Sequence, residues 1–269
     1  MAYPERSLGL MRYRELLPPL SLADIVLSYW EFAISEDLPG PVRHHIFPDG
    51  CALLSFQGKP AQVPPTVRVI GPTLKSRVVT VFPGDVWWGV RLQPAAFQAV
   101  TGWAPSVLRD KAEPCANINP ELNLALLGRL NDSTCFLRAV LAYGQALCTI
   151  SRDQLDRKVA EAASLIDRSC GGARIEAVAS TVGLSGRQLQ RRFNQAVGLT
   201  PKQFGRVRRL RTTTITMLDT RLADWAGLAA ESGYTDQSHL THELSALTGH
   251  LPSSFERRVR GIEHGYLRR

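Results

Sequence analysis

The residues with the most legible chemistry lie between Ser185 and Val197, in the stretch SGRQLQRRFNQAV. Arg187, Gln190, Arg191 and Asn194 are spaced i, i+3, i+4 and i+7, so on a helix they share one face. Two guanidiniums and two amides on that face carry the donors and acceptors that match guanine and adenine edges in a major groove. Leu189, Phe193 and Val197, at i, i+4 and i+8, line a face that can be buried. Ser185 precedes the helix as an N-cap and is also a candidate phosphate contact. A polar face also fits plain solvation, so the surrounding elements decide its meaning.

Those elements form a repeat. Upstream, IEAVASTVGL reads as a short helix ending at Gly183, which gives helix, glycine turn, basic helix: the helix-turn-helix pattern. EAVASTVGLS at 176–185 aligns with AGLAAESGYT at 226–235, pairing Ala179 with Ala229 and Gly183 with Gly233. One residue further out of step, Leu189 pairs with Leu240, Phe193 with Leu244, Gly198 with Gly249 and Pro201 with Pro252. Residues 202–218 can form one helix between the copies. Solvation does not explain a duplicated motif, whereas two recognition helices on a rigid connector can address successive major grooves about 34 Å apart. Lys202, Arg206, Arg208, Arg209 and Arg211 crowd the connector. Lys202 and Arg206 are candidate phosphate contacts, and Arg209 is a candidate internal salt-bridge partner. Thr212, Thr213 and Thr214, three β-branched residues in a row, weaken helix propensity there.

Charge is divided in the same way. The 269 residues carry a net charge of +8. Residues 1–156 hold 14 Lys and Arg against 14 Asp and Glu, and residues 157–269 hold 18 against 10, so the second half carries the whole excess. A basic half joined to a neutral one suits a polyanionic partner, double-stranded DNA above all. Five dispersed cysteines with no CxxC indicate neither a zinc site nor a disulfide framework and fit a reducing cytoplasm. No signal peptide and no 18-residue apolar run is present, so no membrane partner is expected, and residues 1–10 read as a tail or as a mis-assigned start ahead of Met11. GxSxG, HExxH and P-loop motifs are absent, so no catalytic residues, metal or cofactor are assigned.

The first half reads as β-rich. Residues 25–32, 44–47, 51–56, 67–70, 77–82 and 86–92 are candidate strands, with Pro48-Asp49-Gly50 as a hairpin turn and 58–65 as a Pro-rich loop. Helices are expected from Pro94 to Gly102, over 121–130, over 133–149 with an apolar stripe of Leu137, Val140, Leu141, Leu147 and Cys148, and over 153–168. Trp30, Trp87, Trp88 and Arg91 are candidates for an effector pocket. The adjacent pair Trp87-Trp88 must face opposite ways on a strand, and Arg91 has either an anionic effector or Asp85 to pair with. His44 and His45 likewise diverge and do not chelate together with Cys51. His239 and His250 read as structural.

The strings VASTVGLSGRQLQRRFNQAVGLTPKQF and LAAESGYTDQSHLTHELSALTGHLPSSFERR resemble the AraC/XylS-type transcription regulators over about residues 157–260. The resemblance implies seven helices with two helix-turn-helix units bridged by a long helix, and DNA contacts at Arg187, Gln190 and Arg191 in the first unit and at Gln237, Ser238 and His242 in the second. The second unit departs from the pattern: His242 stands where Arg is usual, Leu244 replaces Phe, and Ala246 replaces a residue that is often basic. LADIVLSYWEF, FPDGCALLSF, VIGPTLKS and WWGVRLQPAAFQAVTG resemble a sensor-like domain often fused to such regulators.

The expected fold is therefore α+β in two domains: a β-rich sandwich or barrel with trailing helices, then an all-α double helix-turn-helix domain. The expected divisions are 1–115 for sensing or self-association, 116–156 as a helical linker, 157–262 for DNA binding, and 263–269 as a basic tail. The expected function is sequence-specific transcription regulation controlled by the N-terminal domain. Its partners would be operator DNA, a small-molecule effector, a second copy as homodimer and, for an activator, RNA polymerase. An architectural DNA binder and a cysteine-based alkyl-transfer protein are the competing readings.

Overall fold

The computed structural model describes residues 9–59, 65–219 and 224–265. The first-half strands are β1 (Met11–Leu16), β2 (Val26–Ile34), β3 (Val42–Ile46), β4 (Leu53–Lys59), β5 (Val67–Ile70), β6 (Arg77–Val81), β7 (Val86–Leu92) and β8 (Ala112–Pro114). A last strand, β9 (Glu263–Gly265), comes from the other end of the chain. The main sheet runs β8-β5-β4-β7-β2-β1-β9, and β3 pairs with β6 in a separate two-stranded sheet. Alternation along β7 divides the tryptophans as expected. Trp88, Val90 and Leu92 join Tyr29, Leu54 and Phe56 in one core, while Trp87 joins Trp30, Phe32 and Met11 under the small sheet.

Helices α1 (Phe97–Thr101), α2 (Cys115–Ile118), α3 (Pro120–Asn131) and α4 (Phe136–Leu147) cover the first face. Leu122, Leu126 and Leu130 of α3, at i, i+4 and i+8, and Phe136, Ala139, Tyr143 and Leu147 of α4 complete that core. The Tyr143 hydroxyl donates to the Trp88 carbonyl at 3.1 Å. These helices, expected as a linker over 116–156, thus belong to the core of the first domain. The expected α4 stripe is also corrected. Leu137 and Leu141 are 63% and 62% exposed and Cys148 is exposed, because the helix turns its aromatic side to the sheet and buries Phe136 and Tyr143 instead.

Among the described residues, the second half up to Arg260 is helical: α5 (Arg157–Arg168), α6 (Ile175–Thr181), α7 (Gly186–Val197), α8 (Pro201–Asp219), α9 (Trp225–Glu231), α10 (Gln237–Thr248) and α11 (Pro252–Arg260). The repeat is visible in the backbone. Turn glycines Gly183 and Gly233 have φ of 63° and 76°, and C-cap glycines Gly198 and Gly249 have φ of 78° and 74°. Leu189, Phe193 and Val197 share one core with Leu240, Leu244 and Leu247. The Thr212–Thr214 run is accommodated because all three hydroxyls donate back to the carbonyls four residues earlier, at 3.2, 2.8 and 2.8 Å.

The turn at Pro48-Asp49-Gly50 does not close a hairpin, since β3 and β4 lie in different sheets. It projects onto α8 instead. Gly50 sits at φ 76°, and a Cβ there would come within 2.6 Å of Val207 and 3.1 Å of Phe204. Beside it, Phe47 packs on Phe255 with ring centroids 4.8 Å apart. His45 and His250 share a hydrogen bond at 3.0 Å, one ring donating and the other accepting. β9 adds in parallel to β1, so Glu263–Gly265, expected within a basic tail, closes the edge of the first domain's sheet. The rest of that tail, residues 266–269, lies outside the described residues, as do 60–64 of the Pro-rich loop and 1–8 of the N-terminal tail.

A buried ionic cluster ties sheet to helix. Arg91 Nη1 donates to Glu15 Oε1 at 2.9 Å and to Ser28 Oγ at 3.0 Å, and its Nε donates to the Asp49 carboxylate. Arg211 pairs with Glu15 at 3.2 Å. Arg208 pairs with Asp167 at 2.5 Å and donates to the Asp49 carbonyl at 3.3 Å. Burial alone would raise the Glu15 carboxyl, but Arg91 and Arg211 outweigh it and bring it down to about 2. Arg91 therefore answers neither to Asp85, whose carboxylate accepts from Gln57 and Phe82, nor to an open pocket.

Two outcomes follow from this packing. Arg91→Ala strands Asp49 as a buried carboxylate and leaves Glu15 with Arg211 as its one cation, and should cost about 3–5 kcal/mol of unfolding free energy in urea titration; a cost below about 1 kcal/mol would mean the cluster is solvated. Burial, reinforced by His45, His264 and Arg258, holds His44 down at about 4 against its ordinary 6.5, and His45 is likewise held down at about 4. Both stay neutral in the fold and accept a proton once unfolded. Stability is thus retained above about pH 6.5 and falls as pH drops from there towards 4, by up to roughly 3 kcal/mol for the buried His44. Melting temperature against pH should show this decline, and His44→Leu should make it shallower.

Candidate nucleic-acid interface

The first helix-turn-helix unit is held by local devices that the sequence encodes. Ser185 Oγ accepts from the Gln188 amide at 3.2 Å and Gln188 Oε1 accepts from the Ser185 amide at 2.9 Å, a reciprocal capping box. Arg192, next to the polar face, is bound bidentately to Asp156 at 2.7 and 2.8 Å and so pins α7 to the N-cap of α5. That pairing lowers the Asp156 carboxyl against the effect of burial and raises Arg192. With Leu189, Phe193 and Val197 buried, the orientation of α7 is set, and Arg187, Gln190 and Arg191 stand exposed.

These side chains line one groove of about 900 Å³. Its walls are Arg187, Gln190, Arg191, Asn194 and Gln195 of α7, Thr200 and Gln203 at the start of α8, and Arg109 from the first domain. Three guanidiniums and no carboxylate line it, so its walls carry positive charge. Arg109 is a member that sequence reasoning missed, since it falls within 1–115, expected to serve sensing or self-association. It follows the 3-10 turn Pro105–Leu108, and its Nε donates to the Gly198 carbonyl at 2.7 Å. Its Nη2 donates to the same carbonyl and to Asn194 Oδ1 at 3.3 Å. Asn194, expected on the reading face, is accordingly half-buried against Arg109.

In the second unit Gln237, Ser238 and His242 are exposed on α10, which Asp236 caps by accepting from the His239 amide at 2.8 Å. Lys202 is exposed in the first turn of α8. Arg206, expected at phosphate, is held instead by the buried Glu243 at 2.8 Å, with Arg209 3.6 Å from the same carboxylate. The expected internal role of Arg209 therefore extends to Arg206.

The effector-pocket candidates are not brought together as one wall. Trp88 is buried in the helix-covered core and donates to Glu31 at 2.9 Å. Trp30 and Trp87 lie on the opposite face, where the Trp30 ring lies over Gly89 so closely that a Cβ there would come within 2.3 Å of it. Arg91 is taken by Glu15 and Asp49. Cys51 is buried, and desolvation with the nearby Asp49 pushes its thiol up to about 12. A thiolate nucleophile needs the opposite shift.

Residues 178–258 match a family described as a helix-turn-helix domain, and residues 14–114 match a domain of unknown function (DUF6597). No curated protein matches the sequence. Among solved structures, ToxT from Vibrio cholerae is 9% identical over 81% of this chain and 97% of its own, with a TM-score of 0.43. Wild-type ToxT with bound unsaturated fatty acid is 10% identical over 84% of this chain and 98% of its own, with the same TM-score of 0.43. Neither likeness is close enough to transfer a ligand or a partner. The duplicated units on one bridging helix and the two domain matches together show that this chain joins a DUF6597 domain to a helix-turn-helix domain of the AraC type.

Proposed function

We propose that the chain is a sequence-specific regulator that reads its operator chiefly through α7, with α10 as a weaker second reader and the N-terminal domain as the controlling element. The observation that carries this reading is the groove along α7, where exposed Arg187, Gln190 and Arg191 project from a rigidly capped helix and no carboxylate competes for them. Arg and Gln at such positions discriminate guanine and adenine, while Ser185 and Lys202 stand where phosphates would fix the register. On α10 the corresponding residues are Gln237, Ser238 and His242, and an imidazole lacks the bidentate donor fork that lets arginine grip guanine or phosphate. Control requires that an effector, a second copy or RNA polymerase bind two arrangements of the domains unequally. The domains have a surface on which to do so, the contact between the 48–50 turn and α8.

Genome-wide binding followed by footprinting gives the operator. On that operator Arg191→Ala should cost roughly 1–3 kcal/mol and relax preference at one base pair. An equal loss on random DNA would make Arg191 a phosphate contact, and little sequence preference in the wild type would favour an architectural binder. Site selection should also recover more information from the half-site under α7 than from the one under α10; equal half-sites would contradict the ranking of the two helices.

A further inference from the structure

The geometry points to Arg109 as a DNA-phosphate contact supplied by the N-terminal domain, so that the reading surface of the first unit is built from both domains. The inference rests on the regulator reading above and adds a contact that lies outside the helix-turn-helix domain.

Arg109 is positioned rather than loose. The 3-10 turn before it packs on α7, and a Cβ on Gly198 would meet Pro105 and Pro72 at 3.0–3.2 Å, so the first domain abuts the C-cap of the recognition helix. The next residue, Asp110, is at φ 58° and accepts from Thr73 Oγ1 at 2.8 Å and the Leu74 amide at 3.1 Å, locking the two loops together.

A guanidinium has five N–H donors. The bonds from Nε and Nη2 to Gly198 and Asn194 engage one edge of Arg109. The Nη1 group is left over on a side chain that lines the groove, and no carboxylate pairs with Arg109 among the described residues. A half-buried cation held by neutral oxygens still has its charge to satisfy. Arg187 and Arg191 of the same groove cannot satisfy it.

A recognition helix seated in a major groove about 12 Å wide has a sugar-phosphate strand along each side. Arg109 stands on the flank of α7 beside the start of α8, where the helix N-terminus favours negative charge as well. Docking on the C-terminal carbonyl of α7 explains why the arginine is held there. It leaves the uncompensated charge facing the groove unexplained, and a phosphate accounts for it.

Phosphate contact is independent of sequence, so the test needs no operator. Full-length wild type, Arg109→Gln, Arg109→Lys and Arg191→Ala are titrated with a short duplex of mixed sequence across a range of salt, with melting temperatures measured alongside. Arg109→Gln should weaken binding roughly five- to tenfold at low salt and reduce the slope of log K against log salt by about 1. Arg109→Lys keeps the cation and should retain most of the slope. Tighter binding by Arg109→Gln would instead make the contact a restraint on α7, and weaker binding with an unchanged slope would leave Arg109 a helix cap; either result overturns the proposal. A wild type whose binding shows no salt dependence would sink the regulator reading itself. Salt-dependent wild-type binding that Arg109→Gln leaves unchanged would sink this inference alone.

Discussion

A guanidinium buried on the face of a sheet has to be met by carboxylates, and the way Arg91 is met sets the arrangement of the whole chain. Its partners come from β1 and from the turn that would otherwise be a hairpin. The same Glu15 also takes Arg211 of α8, while the Asp49 carbonyl takes Arg208. Three cations and three anions, Asp167 included, balance within the contact. Most of the strong pairs, however, lie within one domain: Arg91 with Glu15 and Asp49 in the first, Arg208 with Asp167 in the second. Parting the domains would leave those pairs intact but would break Arg211 from Glu15, the β1–β9 pairing, the hydrogen bonds of Arg109, Ser76 and His45, and the apolar contacts around Gly50, Phe47 and Phe255.

The consequences run along α8. This helix connects the two helix-turn-helix units, so whatever fixes it against the sheet fixes both readers. The first domain also touches each recognition helix at its C-terminal end. Arg109 reaches the carbonyl of Gly198, and Ser76 reaches the carbonyls of Leu247 and Thr248 with its amide at 3.1 Å and its hydroxyl at 2.8 Å. The two contacting loops are joined to one another through Asp110 and Thr73. One pair of joined loops of the N-terminal domain thus touches the C-terminal ends of both α7 and α10.

The second domain was legible in the sequence and the first much less so, for a physical reason. Each helix-turn-helix unit is specified by neighbours in the chain: a cap at Ser185, a turn at Gly183, an apolar i, i+4, i+8 face, and the same devices fifty residues on. Strand partners are chosen by distant residues. Asp49-Gly50 has the composition of a hairpin turn, yet φ > 0 is equally what a turn pressed against Val207 requires, and only the sheet pairing separates the two. In α4, Leu137 and Leu141 have the right spacing for a buried stripe, but Phe136 and Tyr143 offer more apolar area and win the sheet. Within the site, the faces of α7 and α10 were readable because helical periodicity places them. Arg109 was not, because its bonds to Gly198 and Asn194 cross the domains with no local signal, and neither was the ion pair of Arg206, because the acid that holds it is Glu243, on another helix.

Strand alternation also sets what surrounds the ionic cluster. Register places Tyr13, Phe32 and Trp87 side by side, then Glu15, Trp30 and Gly89, with Ser28 beside Arg91, all on one face of the sheet. The aromatic residues under the small sheet are therefore continuous with the ionic cluster, and through Arg211 that cluster ends on α8. The Trp30 ring closes over Gly89 so tightly that a Cβ there would come within 2.3 Å of it, so a glycine is what lets the ring lie flat on the strand beside Glu15 and Arg91.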